Sequence, residues 1–196
     1  MQLIGESDPV TGEPLTVLYS PADSRTMQMV GGQSDATVLE NIIIDGSNSA
    51  VAGGIYMLDT ASPGPRLTNC IIRNCTWNSH GAGLRLHNAH PNLIGCTIES
   101  STSLPDSMHG AAIYLFGGAS VDAFECELRL NQANSGGAIY ADQNTGLFID
   151  TCILEGNTST RTQSPDSPES TSNPSEIQRS NTFLLYTSEA ADQALG

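Results

Sequence analysis

Three sets of side chains in this 196-residue chain have the chemistry and the spacing to build a site. The first is a pair of imidazoles, His80 and His109, each standing just before a Gly-Ala step. Two imidazoles in one slot of a repeat can bind a transition metal or work as acid and base; the plainer alternative is a polar pair at a turn. The second set is Cys70, Cys96, Cys126 and Cys152, each inside a similar local phrase, with Cys75 standing apart. Five cysteines fit poorly with a closed disulfide framework, and the C-x-x-C spacing of a zinc site is missing. The four are therefore expected to be small buried hydrophobes, with a metal or redox ladder as the alternative and pairwise oxidation open to neighbours. The third set is Tyr56, Arg85, Tyr114 and Tyr140. Stacked phenols around a guanidinium offer flat faces, donors and a cation, which suit sugar rings or an acidic polysaccharide. The same four residues would also serve as a cross-strand ladder that only stabilises a sheet. No catalytic residue, metal or cofactor is assigned from these sets.

All three sets are positioned by one repeat. NCIIRN (69–74), GCTIES (95–100), ECELRL (125–130) and TCILEG (151–156) align on cysteine, and NIIIDG (41–46) joins them with Ile42; the steps are 28, 26, 30 and 26 residues. A second phrase, AGGIYM, GAGLRL, GAAIYL and GGAIYA, interleaves with steps of 29, 29 and 26. Apolar residues alternate within each phrase, which is strand spacing. Two short strands in a turn of about 28 residues suit a parallel solenoid, since a propeller blade would need four strands in about 40–45 residues.

In such a solenoid equivalent residues stack about 4.8 Å apart. The expected inward columns are Leu39, Leu67, Leu93, Ala123, Ile149; Ile42 with the four cysteines; Ile44, Ile72, Ile98, Leu128, Leu154; Gly53, Ala82, Ala111, Gly137; Ile55, Leu84, Ile113, Ile139; and Met57, Leu86, Leu115, Ala141. None holds a charge. The outward column Asp45, Arg73, Glu99, Arg129, Glu155 alternates in sign at every rung, which favours neighbouring strands in this register. A second outward strip, Ile43, Ile71 and Ile153 beside Ile94 and Phe124, is apolar and is expected to pack under the TFLLY segment or meet a partner.

Composition narrows the partners. Seven arginines and no lysine face 21 carboxylates for a net charge of −14, which argues against nucleic acid and anionic membranes. No apolar run is long enough to span a bilayer. The start, MQLIGESDPVTGEP, has neither the basic nor the apolar region of a secretory signal. Met1 falls directly into a strand-like phrase with no cap, so a piece of a longer solenoid or an incomplete gene product is expected, with end-to-end or edge self-association. From Thr158 to Asn181, 14 of 24 residues are Ser, Thr or Pro, a composition that predicts disorder. The domain is thus expected over 1–157, the disordered segment over 158–181, and a short strand or cap with a frayed end over 182–196.

The phrases GGIYM and GGAIY, with N-C-x-I-x-x-N and with Leu128-x-x-Asn131 upstream of Gly137-Ala138-Ile139, resemble right-handed parallel β-helix repeats of pectate-lyase-like proteins. They are most similar to those of polymorphic outer-membrane proteins and related adhesins. LIGESDP followed by LTVLYSPADSRTMQMV resembles the lead-in turn of such domains, and the likeness runs over residues 3–157. The fold expected is an all-β, right-handed parallel β-helix of about five to six turns. The resemblance implies an extracellular or cell-surface setting and a structural or adhesin role, with a polysaccharide or surface glycan as partner. It also offers the alternative of a fragment of a polysaccharide lyase or glycoside hydrolase. Against that, the chain has no Asp-Asp pair, and Ser79-His80-Gly81 is only a partial echo of the Gly-His-Gly motif of such enzymes. Its carboxylates are interleaved with arginines, whereas calcium needs convergent oxygens and a glycosidase two facing carboxyls.

Overall fold

A computed structural model of the chain describes residues 1–104 and 108–160 in full, and the backbone of two further strands, 177–179 and 183–187. Every named element is a β-strand. The strands stack as three parallel faces into a solenoid of about five turns. The first face carries Gln2–Ile4, Val38–Glu40, Arg66–Thr68, Asn92–Ile94, Ser120–Phe124 and Thr145–Asp150. The second carries Thr16–Tyr19, Ile42–Asp45, Ile71–Arg73, Thr97–Glu99, Glu127–Arg129 and Ile153–Glu155. The third holds Ser24–Val30, Ala52–Leu58, Leu84–His87, Ile113–Phe116 and Ile139–Ala141, with two-residue strands such as Thr76–Trp77 and Thr102–Ser103 leading into it.

The register is the one the columns require. Leu39 pairs with Leu67, Leu67 with Leu93, Leu93 with Ala123 and Ala123 with Ile149. Ile55, Leu84, Ile113 and Ile139 follow one another on the third face. These inward residues form one continuous core. Burying a Leu or Ile side chain contributes about 1.5–3 kcal/mol, so each turn adds several such increments to its neighbours.

The two strands per turn expected from the phrases are three in the structure. The extra corner lies between the first and second faces, where Asn41, Asn69, Gly95, Glu125 and Thr151 all adopt a left-handed conformation with φ of 48–59°. That corner detaches the Leu39, Leu67, Leu93 column as a strand of its own. Asn and Gly enter this region readily, but Glu125 and Thr151 do so at about 1–2 kcal/mol each, so stacking fixes the corner more than residue type does. The next corner, after the second face, is held by a buried ladder. Asn131 Nδ2 donates to Ile98 O at 2.9 Å and to Asn157 Oδ1 at 2.9 Å, and Ser101 N donates to Asn131 Oδ1 at 3.0 Å. Cys75, outside the cysteine column, occupies this same slot two residues after Arg73, as Ser101 follows Glu99.

Thr158–Ser159 and Ile177–Arg179, both within the stretch expected to be disordered, are strands that pair with Gln132–Ala133 and Ile139–Ala141. The rung beneath supplies what their composition does not: Thr158 N donates to Asn131 O at 2.8 Å and Thr160 N to Ala133 O at 3.0 Å. The remaining residues of 161–181 lie outside the described ones. Phe183–Thr187 joins the first face as its next rung, pairing with 145–149, and so does not cover the apolar strip. In that strip Ile43 is buried, while Ile94 and Ile153 are exposed.

Candidate functional site

The third face carries the aromatic and cationic side chains. Tyr56 pairs with Arg85, Arg85 with Tyr114 and Tyr114 with Tyr140, one residue per turn. The chain enters the strands of Arg85, Tyr114 and Tyr140 through a glycine with positive φ: Gly81 at 66°, Gly110 at 60° and Gly136 at 62°. A Cβ at Gly110 would collide with Ile113 O. Only glycine lets the preceding residue fold back over the strand, and that residue is His80, His109 or Ser135.

The two histidines and the tyrosine column are therefore one cluster, where the sequence suggested two separate sites. His80 stacks on His109 with centroids 5.0 Å apart and on Tyr114 at 4.6 Å, and His109 stacks on Tyr140 at 4.4 Å. This layer covers Tyr114, which is only 7% exposed and not the open face expected of an outward column. Burial, then the nearby Asp142 and Tyr140, pushes the Tyr114 phenol up to about 12. Burial, His109 and Arg85 pull the His80 imidazole down to about 4, with Asp142 opposing. His80 is thus neutral at pH 7, and its Nδ1 accepts the His109 backbone N–H at 3.0 Å. The two rings lie within 16° of parallel, so their nitrogens do not converge on a shared ion. Among the described residues, no group of three or more His, Cys, Asp or Glu gathers to hold a metal.

Arg85 lies over the rings of Tyr56 at 5.6 Å and Phe116 at 5.0 Å, and its Nη1 donates to Ser79 Oγ at 3.1 Å. Its buried Nε finds no hydrogen-bond partner among the described residues. At the end of the strands His87 stacks on Phe116 at 4.2 Å, while His90 Nδ1 is 2.8 Å from Ser120 Oγ.

Three participants escape the sequence reading. Phe116 lies two residues beyond Tyr114, where strand alternation would have found it. Asp142 follows the last inward Ala141 and puts a carboxylate close to the histidines, where the repeat pattern placed none. Arg25 gives no sequence signal, because its partners are backbone carbonyls. It is 7% exposed, donates to Ile55 O, Gly81 O and His80 O at 3.3, 2.7 and 3.1 Å, and lies 5.0 Å from the Trp77 ring. Burial and the neighbouring Arg85 lower its guanidinium to about 10, still charged at neutral pH. Arg25 holds the loop that carries His80.

On the second face the charged column is in register, Asp45 with Arg73, Arg73 with Glu99, Glu99 with Arg129 and Arg129 with Glu155. Ion pairs join Arg73 to Asp45 at 2.7 Å and Arg129 to Glu99 at 2.8 Å. Asp45, expected to face solvent, is 3% exposed, because Ser47 N and Asn74 Nδ2 also close on its carboxylate at 2.9 and 3.2 Å. Inside, all five thiols are free; Cys70, Cys75, Cys96 and Cys126 are buried and Cys152 is partly exposed.

A family model described as "Right handed beta helix region" matches residues 29–192. No curated protein and no solved structure matches the chain.

Proposed function

The chain belongs to the right-handed β-helix family, and from that premise we propose that it is a non-catalytic surface or secreted module of structural, adhesin type that binds an acidic polysaccharide along its third face. The observation that supports this reading is Arg85. In a chain of net charge −14, its guanidinium lies over two aromatic rings and takes part in no ion pair among the described residues. A cation held by flat rings suits a carboxylated sugar, whose ring packs on Tyr56 while its acid meets the guanidinium. His80 and His87 stack on Tyr114 and Phe116 of the same face, and the Asp142 carboxylate acts on both His80 and Tyr114. On the second face two carboxylates are held in ion pairs, Asp45 to Arg73 and Glu99 to Arg129.

Retention on immobilised polygalacturonate tests the reading, using Tyr56→Ala and Arg85→Gln. Each is expected to weaken binding roughly tenfold, the loss of one partly desolvated cation–π contact. Tyr114→Ala is unsuitable, since that ring is buried. Unchanged retention of the double variant would refute the sugar face. Release of reducing or unsaturated ends, with or without calcium, would replace a binding module by an enzyme fragment.

A further inference from the structure

The thiols of the cysteine column lie at the entry to the second face and have a chemistry of their own. Each cysteine of the column keeps one side-chain conformation: Sγ of Cys70, Cys96, Cys126 and Cys152 lies 3.3, 3.6, 3.2 and 3.4 Å from the carbonyl oxygen two residues earlier. Sulfur atoms in one repeated conformation are displaced by the rung spacing, about 4.8 Å. A disulfide needs about 2.05 Å between its sulfurs, so side chains pointing the same way are not set to join. A metal–thiolate bond is about 2.3 Å long, and two of them in line span about 4.6 Å, close to one rung.

The last two thiols differ from the others in what lies beside them. The inward column of the first face runs Leu39, Leu67, Leu93 and then shortens to Ala123. The missing side-chain atoms leave an apolar void of about 10 Å³ between the rungs, and both Cys126 and Cys152 line it together with Ala123, Leu93 and Leu128. A void of this size is near the least that holds one water, and an apolar lining gives a water nothing to bond. The last described rung of the second face is also within reach of solvent: Cys152 is partly exposed and the adjacent Ile153 is 54% exposed. Cys126 N donates to Cys152 Sγ at 3.3 Å, a contact that strengthens if the sulfur becomes a thiolate.

We propose that Cys126 and Cys152 form a site for a soft, two-coordinate metal ion of the copper(I) and silver(I) class. A hard cation would have to surrender its water shell for two sulfurs, whereas soft thiolate ligands select ions of this kind. Two ligands suffice, so the lack of a third donor nearby is no obstacle. Binding forms two metal–sulfur bonds and breaks two S–H bonds, and both protons go to solvent. The bound unit carries one negative charge, shared by the two sulfurs and met by the Cys126 N–H.

The experiment is a titration of the reduced 196-residue chain with silver(I) nitrate in chloride-free buffer. Ions bound are counted by native mass spectrometry and protons released by pH-stat. The first equivalent should bind with release of two protons and persist against an excess of 2-mercaptoethanol. Cys152→Ala and Cys126→Ala should each weaken that step more than tenfold, and Cys75→Ala should leave it unchanged. Ala123→Leu restores the side chain of the preceding rungs, fills the void with both thiols present, and should also abolish the step; circular dichroism establishes that the variants are folded. A first equivalent that releases one proton, is lost to the monothiol, or survives Cys152→Ala or Ala123→Leu would overturn the assignment.

Discussion

Replacing Asp45 by Asn separates a buried ladder contact from an exposed one. The Asp45 carboxylate accepts from Ser47 N at 2.9 Å, Arg73 Nε at 2.7 Å and Asn74 Nδ2 at 3.2 Å. Burial alone would raise its pKa, but these donors outweigh it and hold the group down to about 2. Against an ordinary Asp near 3.9, that depression corresponds to about 2.6 kcal/mol, which screening through the half-exposed Arg73 reduces to about 1–2 kcal/mol. The amide also turns a donor toward one of the three donors and leaves it unmatched, so Asp45→Asn should lose about 2 kcal/mol in all at pH 7. Glu99→Gln, whose partner Arg129 is 44% exposed, should lose less than about 1 kcal/mol. The folded pKa lies below the unfolded one, so Asp45's contribution is complete above pH ~4 and disappears as pH falls through ~2. Terminal turns of a repeat array can melt on their own, so the assay should be urea unfolding followed by the fluorescence of Trp77, the sole tryptophan, which lies four residues from Arg73. Equal losses for the two variants, or a gap between wild type and Asp45→Asn that is undiminished at pH 2, would refute the reasoning.

Arg25→Lys should destabilise the first turns by about 2 kcal/mol and shift Trp77 emission to the red, because one ammonium cannot serve three carbonyls in a fork; unchanged urea midpoint and emission would contradict this. His80 has a folded pKa of about 4, below its unfolded value near 6.5, so the unfolded chain binds the extra proton between these pH values. Stability should therefore fall by on the order of 1 kcal/mol, after screening, as pH drops from 6.5 to 4. His80→Gln should flatten that slope in thermal melts. Asn131→Ala leaves Ile98 O, Ser101 N and Asn157 buried without their partner and should cost about 2–4 kcal/mol, read as loss of cooperative melting in the later turns.

The fold was legible because a parallel stack writes itself into sequence. A side-chain period of two and a turn of 26–30 residues put Leu over Leu and Cys over Cys, and the alternation from Asp45 to Glu155 checked the register independently. The first face was hidden as a strand of its own because the corner at Asn41, Asn69, Gly95, Glu125 and Thr151 demands a backbone angle rather than a residue type. The rings of the candidate site were visible as a column, but their covering was not. That His80 lies over Tyr114 depends on the sharp turn at Gly81, a three-dimensional consequence of one φ. Arg25 was invisible because carbonyl oxygens have no letter in a sequence. Cys75 looked like an outlier only while the cysteines were compared with one another; beside Ser101 and Asn131 it is an ordinary member of another ladder.

The central claim is that backbone groups nearly thirty residues apart bond directly, turn upon turn. Scalar couplings across hydrogen bonds in a triply labelled sample measure this pair by pair. They should connect Ile55 N–H to the Gly83 carbonyl, Leu84 N–H to that of Ala112, and Ile113 N–H to that of Ala138. Correlations from these amides to carbonyls four residues earlier, or to a partner strand running the opposite way, would contradict the solenoid and everything built on it.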